Sequence, residues 1–62
     1  MRSVYFCQIP VTKSFYLKEA NKLSTHTKTS EVKAICVDGD GHTYIKNKEY
    51  AFVQDQECFV LD

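Results

Sequence analysis

The sequence predicts a mainly β domain of the small α+β type, in which about five antiparallel strands form a partly open barrel or a curled sheet beside one short helix. The first observation is the segment 38–41, Asp-Gly-Asp-Gly, which lies between the apolar run 34–37 and the alternating run 43–46. Asp-Gly at such a place indicates a hairpin, because a type I′ turn needs positive φ at both central residues. The second is the series of strand-like runs in the C-terminal half, separated by very short connections. The third is the length, because 62 residues with eight aromatic side chains fill one small core and leave no room for a buried active-site cavity.

The N-terminal half is expected to contain a strand, a helix and a loop. Residues 2–9 are rich in aromatic and β-branched side chains and precede Pro10, which predicts a strand that ends there. Apolar side chains then recur at helical spacing, which predicts a helix over 15–23. A strand over 14–19, paired with the first strand, remains the open alternative. The polar segment 24–30 lacks apolar anchors and is expected to be an exposed loop.

The C-terminal half is expected to form a four-strand meander over residues 31–61. Its strands are predicted over 31–37, 42–46, 49–54 and 57–61. The last two are almost continuously apolar, which indicates burial on both faces or an interface on one. Together with the N-terminal half, this makes one domain over residues 1–62.

The charge is zero overall but is divided between the two halves of the chain. Residues 1–30 carry five basic and one acidic side chain, and residues 31–62 carry three basic and seven acidic ones. Such asymmetry is typical either of two solvated faces or of separate basic and acidic contact surfaces. No stretch resembles a secretory signal or approaches the ~18 apolar residues of a membrane span. With three cysteines, an odd number, we expect a cytoplasmic protein that makes no membrane contact and keeps reduced thiols in or near its core.

The residues that could carry metal or catalytic chemistry are too scattered to predict a site. The candidate ligands are Cys7, His26, Cys36, His42 and Cys58, and no two of them form the tight knuckle that structural zinc sites use. A nucleophilic cysteine would need a positioned histidine, and no signature of such a pair is present. We therefore predict no enzyme activity, no catalytic residue, no metal and no cofactor.

Binding to another protein is the leading functional prediction. The acidic meander could meet a basic surface, with aromatic side chains as anchors, since interfaces combine aromatic contacts with a charged rim. The predicted contact residues are Asp38, Asp40, Tyr44, Lys48, Glu49 and Tyr50. A second copy of the chain, joined by strand pairing, is a further candidate partner. A purely structural or oligomer-forming role is the third functional reading.

Nucleic-acid binding is the alternative function. Small open barrels commonly bind single strands with a basic groove and exposed aromatic side chains. The residues that could form this groove are Lys13, Tyr16, Lys18, Lys22 and Lys28. The neutral total charge and the single arginine argue against it, because nucleic-acid-binding domains are usually basic.

Residues 32–53 resemble a pattern in short bacteriophage and bacterial proteins with Src-homology-3-like barrels. In that pattern an Ile-Cys-x-Asp strand leads through a glycine turn to a tyrosine-bearing strand, then to Gly-Lys-Glu-Tyr and an apolar strand. Here Lys48, Glu49 and Tyr50 match it, while Asn47 stands in place of the glycine. The resemblance implies a small barrel and a phage-type protein, and it transfers no functional residues. Because a minimal domain without catalytic residues can act by occupying a surface, we expect the protein to bind a host protein in the host cytoplasm and to inhibit or modulate it.

Overall fold

The structure is a computed structural model that describes residues 1–20 and 22–61. The described residues form six strands and one 3-10 turn, and every strand pairing is antiparallel. The strands are β1 (Arg2–Tyr5), β2 (Ser14–Lys18), β3 (Leu23–Lys28), β4 (Lys33–Asp38), β5 (Glu49–Ala51) and β6 (Glu57–Val60), and the 3-10 turn spans Phe6–Gln8. They lie in one open sheet in the order β1-β6-β2-β3-β4-β5. The predicted mainly β class is therefore confirmed.

Alternation along the strands gives the sheet an inner and an outer face. In β2, Phe15 and Leu17 are buried, while Tyr16 between them is half-buried and points the other way. The core lies on the inner face and consists of Phe6, Ile9, Phe15, Leu17, Ala34 and Cys58, with Val4, Tyr44, Phe52 and Val60 packed against it. Aromatic rings in mutual contact dominate this core, which is how so short a chain removes enough apolar surface from water.

The sheet is curled, and side chains that follow its two edge strands meet over the core. Phe6 follows β1 and Phe52 follows β5, and the centroids of their rings are 5.2 Å apart. The N–H of Phe6 donates to the carbonyl of Gln56 at 2.9 Å, and the N–H of Cys7 donates to the carbonyl of Gln54 at 3.0 Å. The connection from β5 to β6 thus bridges the gap between the sheet edges. Of the two expected architectures, the curled sheet is the one observed.

The predicted helix over 15–23 is wrong, and the open alternative of a strand is correct in position. Residues 14–18 form β2, which pairs with β3 and β6 and not with the first strand. Phe15 and Leu17 alternate inward with a period of two, and this burial decides the conformation against the helical propensity of the sequence.

The predicted loop over 24–30 is also wrong, because residues 23–28 form β3, a central strand. Its inward side chains are polar and yet buried: Ser24 and His26 have no exposed surface, and Lys28 is 4% exposed. Each has a hydrogen-bonding partner inside the protein, which removes most of the cost of burying it. Polarity alone therefore misidentified this strand as a loop.

The predicted hairpin at 38–41 is absent, since residues 42–46 form no strand. Of the two glycines, Gly41 has a positive φ of 82°, so the backbone lacks the two consecutive positive φ values of a type I′ turn. Residues 39–48 instead form one long loop, and β4 pairs with β5. Asn47 near the end of this loop has a φ of 69°, a left-handed conformation that asparagine tolerates better than most residues.

The remaining strands were predicted close to their observed positions, with shifted ends. The first strand is shorter than predicted because the chain turns into the 3-10 segment at Phe6. Cys36 and Cys58 are buried, as expected, whereas Cys7 in the 3-10 turn is exposed.

Candidate protein-binding surface

The outer face of the sheet carries a continuous group of half-buried aromatic and β-branched side chains. Tyr16 of β2 lies directly opposite Phe59 of β6 on one side and Thr25 of β3 on the other. Ile35 of β4 lies opposite Thr27 of β3. All five are half-buried, and together they are called the outer patch below. Directly opposed side chains on one face of a sheet are close enough to touch, so the patch forms a single surface.

The outer patch is not covered by any element in the part of the chain that the structure describes. Every fully buried side chain of the described strands belongs to the inner face, and the outward ones are half-buried or exposed. Val37 of β4 continues the patch and is 45% exposed. Exposed apolar patches are a feature of interaction sites, so the outer patch is the candidate binding surface. Four of the five members were missed by the sequence analysis, because the alternation that places them on one face is visible in the burial of the strands and not in the residue types of 23–28 or 57–61.

The charges on the outer face are balanced. Lys18 lies above the ring of Phe59, with its Nζ 5.5 Å from the ring centroid. Lys33 Nζ lies 3.9 Å from Glu49 Oε1, and Glu57 is exposed on β6. An aromatic centre surrounded by charges of both signs is typical of a protein interface. It is not typical of a surface that binds phosphates, which is positively charged.

The basic residues proposed for nucleic-acid binding do not share one surface. Lys28 lies on the inner face, where its Nζ donates to the carbonyl of Phe6 at 2.9 Å and lies 4.2 Å from the centroid of the Phe6 ring. The buried ammonium is thus held by a carbonyl dipole and by a cation–π contact. Lys28 therefore contributes to the interior and not to a basic groove.

The other members of the nucleic-acid set are spread along the molecule. Lys22, in the connection from β2 to β3, pairs with Asp38 at 3.6 Å, and both side chains are exposed. Lys13 precedes β2 and lies at the opposite end of that strand from Lys18. Tyr16 and Lys18 are the two members that lie on the outer face. What the structure brings together from this set is one tyrosine and one lysine.

The residues predicted to bind a protein gather around the loop 39–48, and two of them point inward. The ring of Tyr44 packs edge-on against His26, with ring centroids 4.7 Å apart, and its burial raises the pKa of the Tyr44 hydroxyl. The hydroxyl of Tyr50 accepts a hydrogen bond from the N–H of Ile45 at 2.8 Å. These two tyrosines hold the loop on the inner face and are not free anchors for a partner.

The acidic residue Asp40 organises the same loop. Its Oδ1 accepts hydrogen bonds from the N–H of His42 at 2.7 Å and from the N–H of Thr43 at 2.9 Å, and these bonds hold the pKa of Asp40 below its usual value. Lys48 Nζ lies 5.8 Å from the ring centroid of Tyr50. The exposed members of the predicted set are Asp38, Asp40, Lys48 and Glu49. They form a charged margin at the β4–β5 side of the molecule.

Two neighbouring polar side chains of the interior resemble a catalytic thiol–imidazole pair but lack the protonation states that catalysis requires. His26 lies directly opposite Cys36 across β3 and β4, so both side chains point inward together. Burial lowers the pKa of His26 to about 4, and burial also raises the pKa of the Cys36 thiol. A neutral imidazole beside a protonated thiol is the opposite of an activated thiolate–imidazolium pair. The pair therefore packs as part of the core.

Glu19 is the second unusual interior group. Both carboxylate oxygens are buried and have no hydrogen-bond partner among the described residues. Burial and the nearby charge of Asp40 raise the pKa of Glu19. Within residues 1–20 and 22–61, no three His, Cys, Asp or Glu side chains are arranged to hold a metal ion. Glu19 is therefore a destabilised buried acid and does not belong to a metal centre in this part of the chain.

No helix among the described residues is long and apolar enough to cross a membrane. No protein-family model, curated protein or solved structure matches this chain. The function must therefore be inferred from the surface and interior of the molecule itself.

Proposed function

We propose that this protein is a non-enzymatic binding module that holds a protein partner on its outer patch. The observation that carries the proposal is the pair Tyr16 and Phe59, which lies half-buried and uncovered at the centre of the outer face. Tyrosine and other aromatic side chains dominate the binding energy of protein interfaces when a partner shields them from water. The balanced charges around the pair favour a protein over a polyanion.

The partner in this proposal is a host protein whose activity the module inhibits or modulates. Support comes from the resemblance of residues 32–53 to short phage and bacterial proteins, which makes a bacterial protein the first class to test. The described cysteines are free, which supports a reducing compartment such as the cytoplasm. A non-enzymatic role is supported by the neutral His26 and the protonated Cys36, which leave this buried thiol–imidazole pair inactive.

The experiment is affinity capture from a bacterial lysate treated with nuclease, using the tagged chain and two variants. Phe59→Ser removes the centre of the outer patch, and Val53→Ser removes an apolar side chain that is 65% exposed outside it. We expect one stoichiometric protein to be captured by the unmodified chain and by Val53→Ser, and its yield to fall at least about tenfold with Phe59→Ser. Circular dichroism verifies that both variants are folded. Equal capture by all three chains contradicts the proposed surface.

Binding of single-stranded nucleic acid is the second candidate, and one observation favours it. Tyr16 and Phe59 form adjacent aromatic surfaces on which bases could stack, and Lys18 lies beside them. Fluorescence anisotropy of a labelled single-stranded oligonucleotide tests this function directly. Binding that falls with both Lys18→Glu and Phe59→Ser, and with added salt, supports it. Capture of a protein that persists after nuclease treatment supports the first candidate.

A further inference from the structure

The segment 38–41 contains two Asp-Gly steps that form no hairpin, and the structure gives them different surroundings. At an Asp-Gly step the aspartate rearranges readily, because glycine has no side chain to shield its nitrogen from the neighbouring carboxyl group. Asp38 is the last residue of β4 and has a side chain that is 66% exposed, whereas Asp40 lies in the loop 39–48. The same chemistry is therefore open to both positions, and the fold decides between them.

This rearrangement joins the side chain of the aspartate to the main-chain nitrogen of the glycine. The nitrogen attacks the carboxyl carbon Cγ, a C–N bond forms, and the C–O bond to the carboxyl hydroxyl breaks; the hydroxyl leaves with the amide proton as one water. Water then opens the succinimide ring. Opening at Cγ restores aspartate, and opening at the main-chain carbonyl gives isoaspartate, in which the main chain runs through Cβ. The reaction thus needs a protonated carboxyl group and a nitrogen that is free to meet it.

The fold protects Asp40-Gly41 at both reacting groups. Asp40 Oδ1 accepts hydrogen bonds from the N–H of His42 and the N–H of Thr43, which favour the ionised carboxylate over the protonated form. The N–H of Gly41 donates to the carbonyl of Tyr44 at 3.1 Å. These hydrogen bonds must break before the ring can close, and each of them adds to the barrier.

Asp38-Gly39 lacks this protection. The carboxylate of Asp38 pairs with Lys22, whose Nζ lies 3.6 Å from Oδ2, but both side chains are exposed, so water and salt weaken the pair. The N–H of Gly39 donates no hydrogen bond among the residues that the structure describes. The pairing of β3 with β4 is also irregular at this end, since its register shifts between Thr25 and His26. Both reacting groups are therefore less restrained at this step than at Asp40-Gly41.

We propose that Asp38-Gly39 is a site of spontaneous isoaspartate formation in the folded protein, whereas Asp40-Gly41 is protected from it. The reactants are the chain itself and water. The product lengthens the main chain by one methylene group at the end of β4, directly opposite Thr25 of the outer patch. The site concerns the covalent state of β4, so it stands or falls independently of the proposed function.

The modification acts on the packing of the loop 39–48. Gly39 is closely enclosed, because a Cβ built on it would collide with the carbonyl oxygen of Tyr44 and lie 3.1 Å from Sγ of Cys36. A main chain that is longer by one atom cannot keep Gly39 in this place, since closely packed surroundings tolerate little displacement. Isoaspartate at position 38 therefore loosens the loop 39–48 and shifts the margin of the outer patch.

The test is incubation of the folded protein in neutral buffer at physiological temperature, followed by digestion with trypsin. Cleavage after Lys33 and after Lys46 releases residues 34–46, which contain both Asp-Gly steps. The aspartate and isoaspartate forms of this peptide have equal mass, separate by reversed-phase chromatography and are assigned to a position by electron-transfer fragmentation. We expect isoaspartate to accumulate at Asp38 at least about fivefold faster than at Asp40, the ratio that the loss of about one hydrogen bond produces.

Two variants and an unfolded sample control the assignment. Asp38→Glu keeps the charge but cannot close a five-membered ring, so the isoaspartate form should disappear, whereas Asp40→Glu should retain it. In concentrated urea the two steps should rearrange at similar rates, because the restraints of the fold are gone. Equal rates in the folded protein, a faster rate at Asp40, or no isoaspartate at Asp38 would overturn the inference. A preference for Asp38 that persists in urea would overturn it too, because the local sequence and not the fold would be its cause.

Discussion

Acidification should destabilise this protein through a single buried histidine. His26 has no exposed surface, its ring stacks on Phe15 with centroids 5.4 Å apart, and its Nε2 lies 2.8 Å from the hydroxyl oxygen of Ser24. Its Nδ1 is buried with no partner among the described residues, so a second proton would be placed in an apolar site without an acceptor. Burial accordingly lowers the pKa of His26 from 6.5 to about 4. The protonated unfolded chain is therefore favoured as the pH falls.

The size of the effect follows from the two pKa values. The folded pKa lies below the unfolded one, so the unfolded state binds the proton first and stability is lost between pH 6.5 and about pH 4. Each pH unit in that window costs about 1.4 kcal/mol, which gives about 3 kcal/mol over the whole window. A domain of this length has a total stability of roughly 3–9 kcal/mol. Protonation of His26 alone therefore removes a large part of the stability by pH 4.

The assay is urea denaturation at pH 7, 6, 5 and 4 for three chains. His26→Gln keeps a polar side chain near Ser24 but cannot titrate, and His42→Gln removes the exposed histidine as a matched control. The free energy of unfolding of the unmodified chain should fall by about 3 kcal/mol more than that of His26→Gln between pH 7 and pH 4. The control should follow the unmodified chain. An equal pH dependence in the unmodified chain and His26→Gln would refute the reasoning, as would an NMR titration that places the pKa of His26 near 6.5.

Three further predictions concern the loops and the buried acid, and each is checked by urea denaturation, at pH 7 for the loop variants and from pH 7 to pH 4 for the buried acid. A Cβ at Gly39 would collide with the carbonyl oxygen of Tyr44, so Gly39→Ala should destabilise the fold by about 1–3 kcal/mol. An unchanged free energy of unfolding would show that the loop shifts to accommodate the methyl group. Gly41→Ala meets no atom within 4 Å and should cost about 1 kcal/mol for its φ of 82° alone, which makes it the matched control. Thr12→Gly relieves the strain of a φ of 81° and should stabilise the fold by about 0.5–1 kcal/mol after the entropy cost of glycine is subtracted. A loss of stability would show that the contacts of the Thr12 side chain contribute more than its backbone strain costs. Glu19→Gln removes a buried charge near Asp40 and should stabilise the protein at neutral pH. This gain should vanish as the pH falls, because the carboxyl of the unmodified chain is then protonated. A gain that persists in acid contradicts the raised pKa of Glu19.

The fold class was predictable from the sequence, but the assignment of β2 and β3 required the tertiary structure. The run around Phe15 and Leu17 fits both a helix and a strand, and its cross-strand partners decide between them. β3 carries Lys28 inward, and the group that makes this tolerable is the carbonyl of Phe6, 22 positions away in the chain. No local pattern contains that information. The same holds for the loop 39–48, where burial of Tyr44 and the pairing of β4 with β5 prevail over two Asp-Gly signals.

The candidate surface was less predictable than the fold. Tyr16 was singled out for its neighbouring lysines, whereas its aromatic cross-strand partner on the outer face is Phe59, 43 positions further along the chain. Thr25 lay in a segment expected to be a loop. A surface built from four neighbouring strands can be recognised once their order and register are known, because the order brings distant positions together and the register decides which side chains share a face.

The most direct test of the outer patch as a protein-binding surface is NMR cross-saturation with the captured partner. The partner's protons are saturated, and the loss of intensity is measured at each amide of the labelled 62-residue chain. The proposal predicts that the strongest losses fall on Tyr16, Thr25, Ile35 and Phe59. Losses confined to the loop 39–48 or to the β1 edge, with the outer patch unchanged, would contradict it.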